Sequence, residues 1–457
     1  MADTTNSLSA GNSNPLVVWL IAAAIPLMLL APALWNSYPL LQSDTGGYLA
    51  RWYEGYLVPS RSTAFGLYLH YGEPSSFWLN LAIQALATMW ILQLTLRVFG
   101  LARPWRLFGL CLFLTLTTAL PWLASMLLTD IFAGLSVLSL FLLVLFGEKI
   151  SAGEKAALFI FTAFAGATHS ATMAVLLGLC CVGWIARPFL HGRIKAASLA
   201  QGTLTIAAGA IMLLSTNYAL SGHIAWTPGG YSIAFARMLQ DGIVTRYLND
   251  HCPTQQFKLC PYRNELPETA DDFLWSRETV FNKLGRFKGM SDEMGYIAVH
   301  ALSEYPLWQA KEALLNSGEQ MLKVATGENT DHPSLMHTYG IFREYVRQQL
   351  NQVDAARQQT SFLTFGPVNL IHVPVALIST ALVFMTLAGA IVRRRMDDVT
   401  LLIATVCLAM LGNAVICGVI SGPHDRYGSR LVWITTLAAT IAWMKRPRRE
   451  PEHSGTA

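Results

Sequence analysis

Stretch after stretch of this chain runs almost without charge: Leu16–Trp35, Phe77–Val98, Leu107–Ala124, Leu127–Phe146, Ala156–Ala167, Ala171–Ala186, Leu204–Leu220, Val368–Val392, Val399–Ile420 and Leu431–Met444. About 20 apolar residues in a helix cross the hydrocarbon core. Lipid offers no partner for backbone N–H and C=O groups, so helices that satisfy them internally are the natural way across. Composition agrees. Of the 457 residues 53% are apolar and only 13% charged, against about 25% charged in soluble domains, and the mean hydropathy is +0.39. These runs predict an all-α polytopic membrane protein with about ten transmembrane helices, and they exclude a soluble enzyme.

Charge sets the expected orientation. The connections "RVFGLARPWR", "GEKISAGEK", "ARPFLHGRIK" and "VRRRMDD" and the tail "MKRPRRE" are basic and fall on alternate sides of the spans. By the positive-inside rule they mark the cytoplasmic face, and both termini are expected there. The short runs 156–167 and 171–186 are flanked by basic segments at both ends. They read as a hairpin whose apex, "ATHSAT" with His169, faces outward. "APA" at Ala31–Ala33 resembles a signal-peptidase site, yet residues 1–15 lack Lys and Arg, so the first span is read as an uncleaved helix.

Three units follow from this topology. Residues 1–220 carry seven spans and a first exterior loop, 36–76, rich in Trp and Tyr (Tyr48, Trp52, Tyr53, Tyr56) and suited to the membrane interface. Residues 221–364 form an exterior domain expected to be mainly helical, since "IAFARMLQDGIVTRYL" and "YPLWQAKEALLNSGEQML" repeat apolar residues at three- and four-residue spacing. Residues 365–457 add three spans and the basic tail. Cys111, Cys180, Cys181, Cys407 and Cys417 lie in spans, where thiols pack as small apolar groups. Cys252 and Cys260 lie in the exterior domain, where a disulfide is expected. No internal repeat, low-complexity run or heptad array is present.

Candidate chemistry collects on the exterior side. Asp44, in "SDTGGYL", follows the first span, and Asp130, in "SMLLTDIFAGL", opens the fourth. Either acid suits a helix cap. Two acids at exterior helix ends also suit removal of a proton from a hydroxyl, one as general base and the other orienting the acceptor or tuning its partner. Arg51, Arg61, Arg426 and Arg430 sit on this face against the topological bias. They snorkel to lipid headgroups or grip phosphate, which a guanidinium fork matches with two hydrogen bonds. His169 is either a buried neutral imidazole or a phosphate contact. "GPHDRYGSR" adds His424, Asp425 and Tyr427, with Asp425 expected to pair with Arg426 or Arg430. HExxH, CxxC, GxSxG and Walker motifs are absent.

An acid just after the first span, another opening the fourth and an Arg-Tyr pair before the last together resemble the GT-C superfamily. Its members are integral-membrane glycosyltransferases using polyprenyl- or dolichyl-phosphate sugars, and they include protein O-mannosyltransferases and aminoarabinose transferases. The resemblance places the first-loop catalytic base on Asp44. The motif opening the fourth span, often Ser-Asp or Pro-Glu, falls on Thr129-Asp130. His169, in "ATHS", takes the position of a lysine in the hairpin, and "RYGSR" lacks the proline that usually follows Arg-Tyr.

The resulting expectation is inverting transfer of a sugar from a polyprenyl phosphate to a hydroxyl on a glycan, lipid or protein at the periplasmic face. Asp44 would act as general base with Asp130 beside it, and Arg426, His424, His169, Arg61, Tyr427 and Arg430 would hold the donor phosphate. Tyr48, Arg51 and Trp52 would meet the acceptor or the membrane interface. No cofactor, metal or nucleic-acid partner is implied, and the short loops suit a bacterial inner membrane. The competing readings are a polysaccharide polymerase or ligase using pyrophosphate-linked oligosaccharides, and a lipid or solute transporter, although transporters tend to show broken helices and repeated halves.

Overall fold

The computed structural model describes residues 15–190, 192–276, 278–359 and 363–446. Residues 1–14 and 447–457, which include both expected cytoplasmic termini, lie outside the described residues, as does His191 of the "ARPFLHGRIK" connection. A helix occupies each of the apolar runs, and no strand forms among the described residues. Six helices are long and apolar enough to cross a membrane, as expected of a multi-pass membrane protein: Trp78–Val98, Asp130–Lys149, Ser170–Leu190, Ala196–Ser221, Gly366–Val392 and Asp398–Ile420. Pro15–Leu29 and Pro104–Thr117 are shorter apolar helices, while Ala152–Thr168 and Asp425–Met444 complete the bundle.

Three expected spans break before their expected bounds. The first stops at Leu29 and resumes as Ala31–Asn36, because Pro32 has no N–H to continue the ladder. The third ends at Thr117, after which Thr118 is extended and Pro121 opens the short helix Leu120–Ala124. The fourth begins at Asp130 rather than Leu127. Its apolar lead-in pairs elsewhere: Leu40 and Met126 form an isolated parallel bridge, with Leu40 N–H to Ser125 O and Leu127 N–H to Leu40 O, each 2.9 Å. This bridge ties together the stretches that carry the two acids.

The polar region 221–364 is built in two parts. Phe235, Tyr247, Phe273, Phe281, Met290, Met294 and Ile297 form a core of their own, stapled by the Cys252–Cys260 disulfide. Val324, Leu335, Tyr339, Phe342 and Val353 instead join the core of the bundle. Between the parts, the helix Pro306–Leu322 packs along Asp398–Ile420. Glycines permit that approach: a Cβ on Gly418 would lie 2.7 Å from Asn316 O, and one on Gly428 only 1.9 Å from Lys323 O. Gln320 then brackets the start of the last helix, accepting from His424 N–H and donating to His424 O, both at 2.9 Å.

Gly428→Ala should therefore push the 306–323 segment off the last helix, because its new methyl meets a backbone carbonyl rather than a side chain that can turn away. Overpacking of this kind costs about 1–3 kcal/mol. Thermal unfolding of the purified protein should register the loss, with Gly412→Ala, where a Cβ meets nothing within 4 Å, close to wild type.

Candidate functional site

Asp44 stands at the N-terminus of the short helix Thr45–Leu49, but its carboxylate caps no backbone N–H. One oxygen meets Arg61 Nη2 at 2.5 Å and the other meets Arg426 Nη1 at 2.6 Å. Arg426 donates its Nε to Asp130 at 2.8 Å, so one guanidinium from the last helix joins the acids of the first loop and the fourth span. Arg430 extends the cluster inward. It donates to Asn413 Oδ1 through Nη2 at 2.7 Å and through Nε at 3.2 Å, lies 3.9 Å from Asp130, and approaches His169 Nδ1 at 3.4 Å. Asp130 Oδ1 is buried without a hydrogen-bond partner. Burial alone would raise the Asp44 carboxyl, but the Arg61 and Arg426 guanidiniums outweigh it and hold the group far below the usual carboxylate range.

The two glycines after Asp44 serve close approach. A Cβ on Gly46 would sit 2.6 Å from Thr338 Cα, and one on Gly47 2.8 Å from Arg61 Nε. The space they leave is filled by the protein itself rather than kept for a ligand. Thr338 accepts from Gly46 N–H at 3.0 Å and bonds the Ser43 carbonyl at 2.9 Å. Thr45 Oγ1 donates to Leu127 O at 3.0 Å, fixing the Asp44 turn against the lead-in to Asp130.

His424 is held by a partner that sequence spacing did not reveal. Its Nδ1 lies 2.9 Å from Glu328 Oε1, while Glu328 Oε2 accepts from Arg426 N–H at 2.7 Å. The Glu328 bond raises the affinity of the imidazole for its second proton, against the opposing effect of burial. Asp425 does not pair with either arginine; it accepts from Ala325 N–H at 2.8 Å, satisfying a backbone group that the close packing buries.

Two of the three first-loop residues expected at the acceptor or the interface stand elsewhere. Tyr48 is buried, at 1% exposed, edge-on to Phe65 and beside the Arg61 guanidinium, so it offers nothing to a membrane interface. Arg51 is also buried. Its guanidinium is consumed by Glu54 at 2.5 Å, Gly47 O at 2.9 Å and Tyr56 O at 2.7 Å, which makes it the internal brace of the loop rather than an acceptor contact. Trp52 is half-buried and donates Nε1 to Thr63 O at 2.8 Å. Amphipathic spacing cannot distinguish a face that meets lipid from one that meets protein.

Beside the charged cluster opens a cavity of about 680 Å³. Arg61, His169 and Tyr427 are among its lining residues, and Leu177, Ile206 and Ala210 carry its apolar wall between the helices Ser170–Ala186 and Ala196–Ser221. Ser62 Oγ donates to Ala167 O at 2.8 Å, holding the His169 hairpin against the loop that bears Arg61. Trp275, from the helix Ala270–Trp275 of the polar domain, covers Arg61 with its ring centroid 5.8 Å from the guanidinium carbon. Nothing in the spacing of Glu328, Asn413, Thr338 or Trp275 marks them for a site; only the fold brings them here. No group of three or more His, Cys, Asp or Glu side chains is arranged to hold a metal among the described residues.

The His424–Glu328 contact has a pH signature. The folded-state imidazole is raised above its unfolded value of about 6.5. Its stabilisation is therefore complete below about pH 6.5 and disappears as pH climbs through the folded-state value. The difference in melting temperature between wild type and His424→Ala should be greatest near pH 6 and shrink toward pH 9; a difference that is flat with pH would mean the imidazole is not charged there.

No protein-family model matches this chain, and neither curated proteins nor solved structures yield a match to it.

Proposed function

We propose that this protein is a glycosyltransferase of GT-C type, moving a sugar from a polyprenyl-phosphate donor to a hydroxyl acceptor with inversion. The observation that carries this reading is the cavity: apolar side chains of two helices line it together with Arg61, His169 and Tyr427, next to a carboxylate held by two guanidiniums. A guanidinium and an apolar wall in one cavity suit a ligand with an anionic head and an apolar tail. In this reading the apolar runs make ten spans, and the polar domain stands at the periplasmic face of a bacterial inner membrane, with both termini in the cytoplasm.

The chemistry follows from the ion pairs. Doubly paired with guanidiniums, Asp44 is too weak a base to accept a proton from an alcohol. A donor phosphate entering beside Arg61 and Arg426 competes for the same N–H groups. As each guanidinium turns to the phosphate, Asp44 loses a counter-charge and gains basicity. The acceptor hydroxyl gives its proton to Asp44 while its oxygen bonds to the anomeric carbon from the face opposite the phosphate. The anomeric C–O bond to phosphate breaks, and its electron pair leaves with the polyprenyl phosphate, held by Arg426 and Arg61 with Arg430 behind them. Well-placed donors of this kind contribute on the order of 3–4 kcal/mol each to such a transition state. Asp130, through Arg426 Nε, keeps that guanidinium aimed when Asp44 lets go.

With purified protein and polyprenyl-phosphate sugars, Asp44→Asn should abolish both transfer and donor hydrolysis while the protein still elutes and melts as a folded species. Unchanged turnover would remove Asp44 from the reaction. Arg61→Ala, at the rim of the cluster, should weaken donor binding about tenfold or more; a variant that binds polyprenyl phosphate as wild type does would take the phosphate away from this end of the cavity.

A further inference from the structure

The helix Ala270–Trp275 has two faces with different surroundings. Ala270, Phe273 and Leu274 are buried in the polar domain, with the Phe273 ring 5.0 Å from Phe281 and 5.6 Å from Phe235. Asp271 and Trp275 are four residues apart, so they share the other side of the helix, and that side meets the site. The Trp275 ring lies over Arg61, yet the residue remains 42% exposed. Asp271 lies within electrostatic reach of His424, Glu328 and Asp44. It is exposed and, unlike Asp44 and Glu328, enters no ion pair or hydrogen bond of its own with any described residue.

The guanidiniums of the cluster, Arg61, Arg426 and Arg430, all come from the bundle side and are already engaged by Asp44, Asp130 and Asn413. Among the described residues the polar region adds no guanidinium there; it adds the carboxylates Asp271 and Glu328 and a half-exposed indole. A second anion is repelled by those carboxylates, whereas a neutral polyol is not. A free carboxylate is acceptor-only and satisfies paired hydroxyl donors. An indole offers a flat apolar face with a polar edge, and the C–H face of a pyranose ring lies flat on such a surface. A serine or threonine side chain brings one hydroxyl and no ring face.

We propose that Asp271 and Trp275 form the acceptor subsite, and that the acceptor is the neutral sugar of a glycan, its ring stacked on Trp275 and its hydroxyls bonded to Asp271. The proposal rests on the transferase reading for what happens next, when a neighbouring hydroxyl is presented to Asp44. The binding itself is separable from that step.

The test uses the full chain in lipid nanodiscs and saturation-transfer NMR with maltotriose, mannotriose and chitotriose, with glycerol and a short serine-containing peptide for comparison. At least one trisaccharide should bind wild type. Trp275→Ala and Asp271→Asn should each weaken that binding tenfold or more, and Trp275→Phe, which keeps a flat ring, should retain most of it. The proposal is overturned if no trisaccharide binds, if the peptide binds in preference, or if the Ala and Asn variants bind as wild type does. Polyprenyl-phosphate binding is measured on wild type in the same nanodiscs. Its absence alongside Trp275-dependent sugar binding would sink the transferase reading and leave the sugar subsite standing.

Discussion

A single guanidinium holds this end of the molecule together. Arg426 lies between Asp44 and Asp130, with its backbone N–H on Glu328, so segments near the start, the first third and the last third of the chain meet on one residue. Breaking such a pair by removing one partner leaves an uncompensated buried charge, which is far more costly than the pair is stabilising. The surrounding architecture supplies the partners that make the burial tolerable. The Leu40–Met126 bridge aligns the two acids, Asn413 holds Arg430 behind them, and Gln320 clamps the start of the last helix.

The same arrangement shapes the proposed chemistry. A carboxylate that is already neutralised by two arginines is stable and inert, which suits a site that must not activate water while empty. In that proposal reactivity depends on an anion that withdraws the arginines, and a largely apolar cavity that Arg61 helps to line is where an anion with a lipid tail would arrive. Asp44 at a helix start thus answers to more than capping: its carboxylate ignores the helix it precedes and faces the cluster.

Much of the scaffold was legible from the chain. Apolar runs gave the helices, because burial in lipid or protein and a satisfied backbone demand them together. The Cys252–Cys260 pair, the acids at Asp44 and Asp130 and the Arg426 turn were visible as charges and thiols in places where they are unusual. The ends of the spans were not, since Pro32, Pro121 and the Leu40–Leu127 pairing act through geometry that hydropathy ignores. Tyr48 and Arg51 misled for a related reason: an aromatic, amphipathic loop looks the same whether its apolar side meets lipid or, as here, Phe65 and the core. The region 221–364 looked uniform because both of its parts are amphipathic helices, though one closes on itself and the other joins the bundle.

The sequence by itself determined that this chain is a helical membrane protein, because continuous apolar runs of about 20 residues cross an apolar medium as helices, whereas strands of a barrel alternate in polarity over about ten, and it put acids and arginines at helix ends where charge is tolerated. Only the tertiary structure decided which charges meet. Glu328 with His424 and Asn413 with Arg430 are contacts across 96 and 17 residues of chain, and Trp275 meets Arg61 from a different domain. Such pairs leave no period or spacing in the chain, because they depend on how helices pack and on the few glycines, 46, 418 and 428, that let backbones come close.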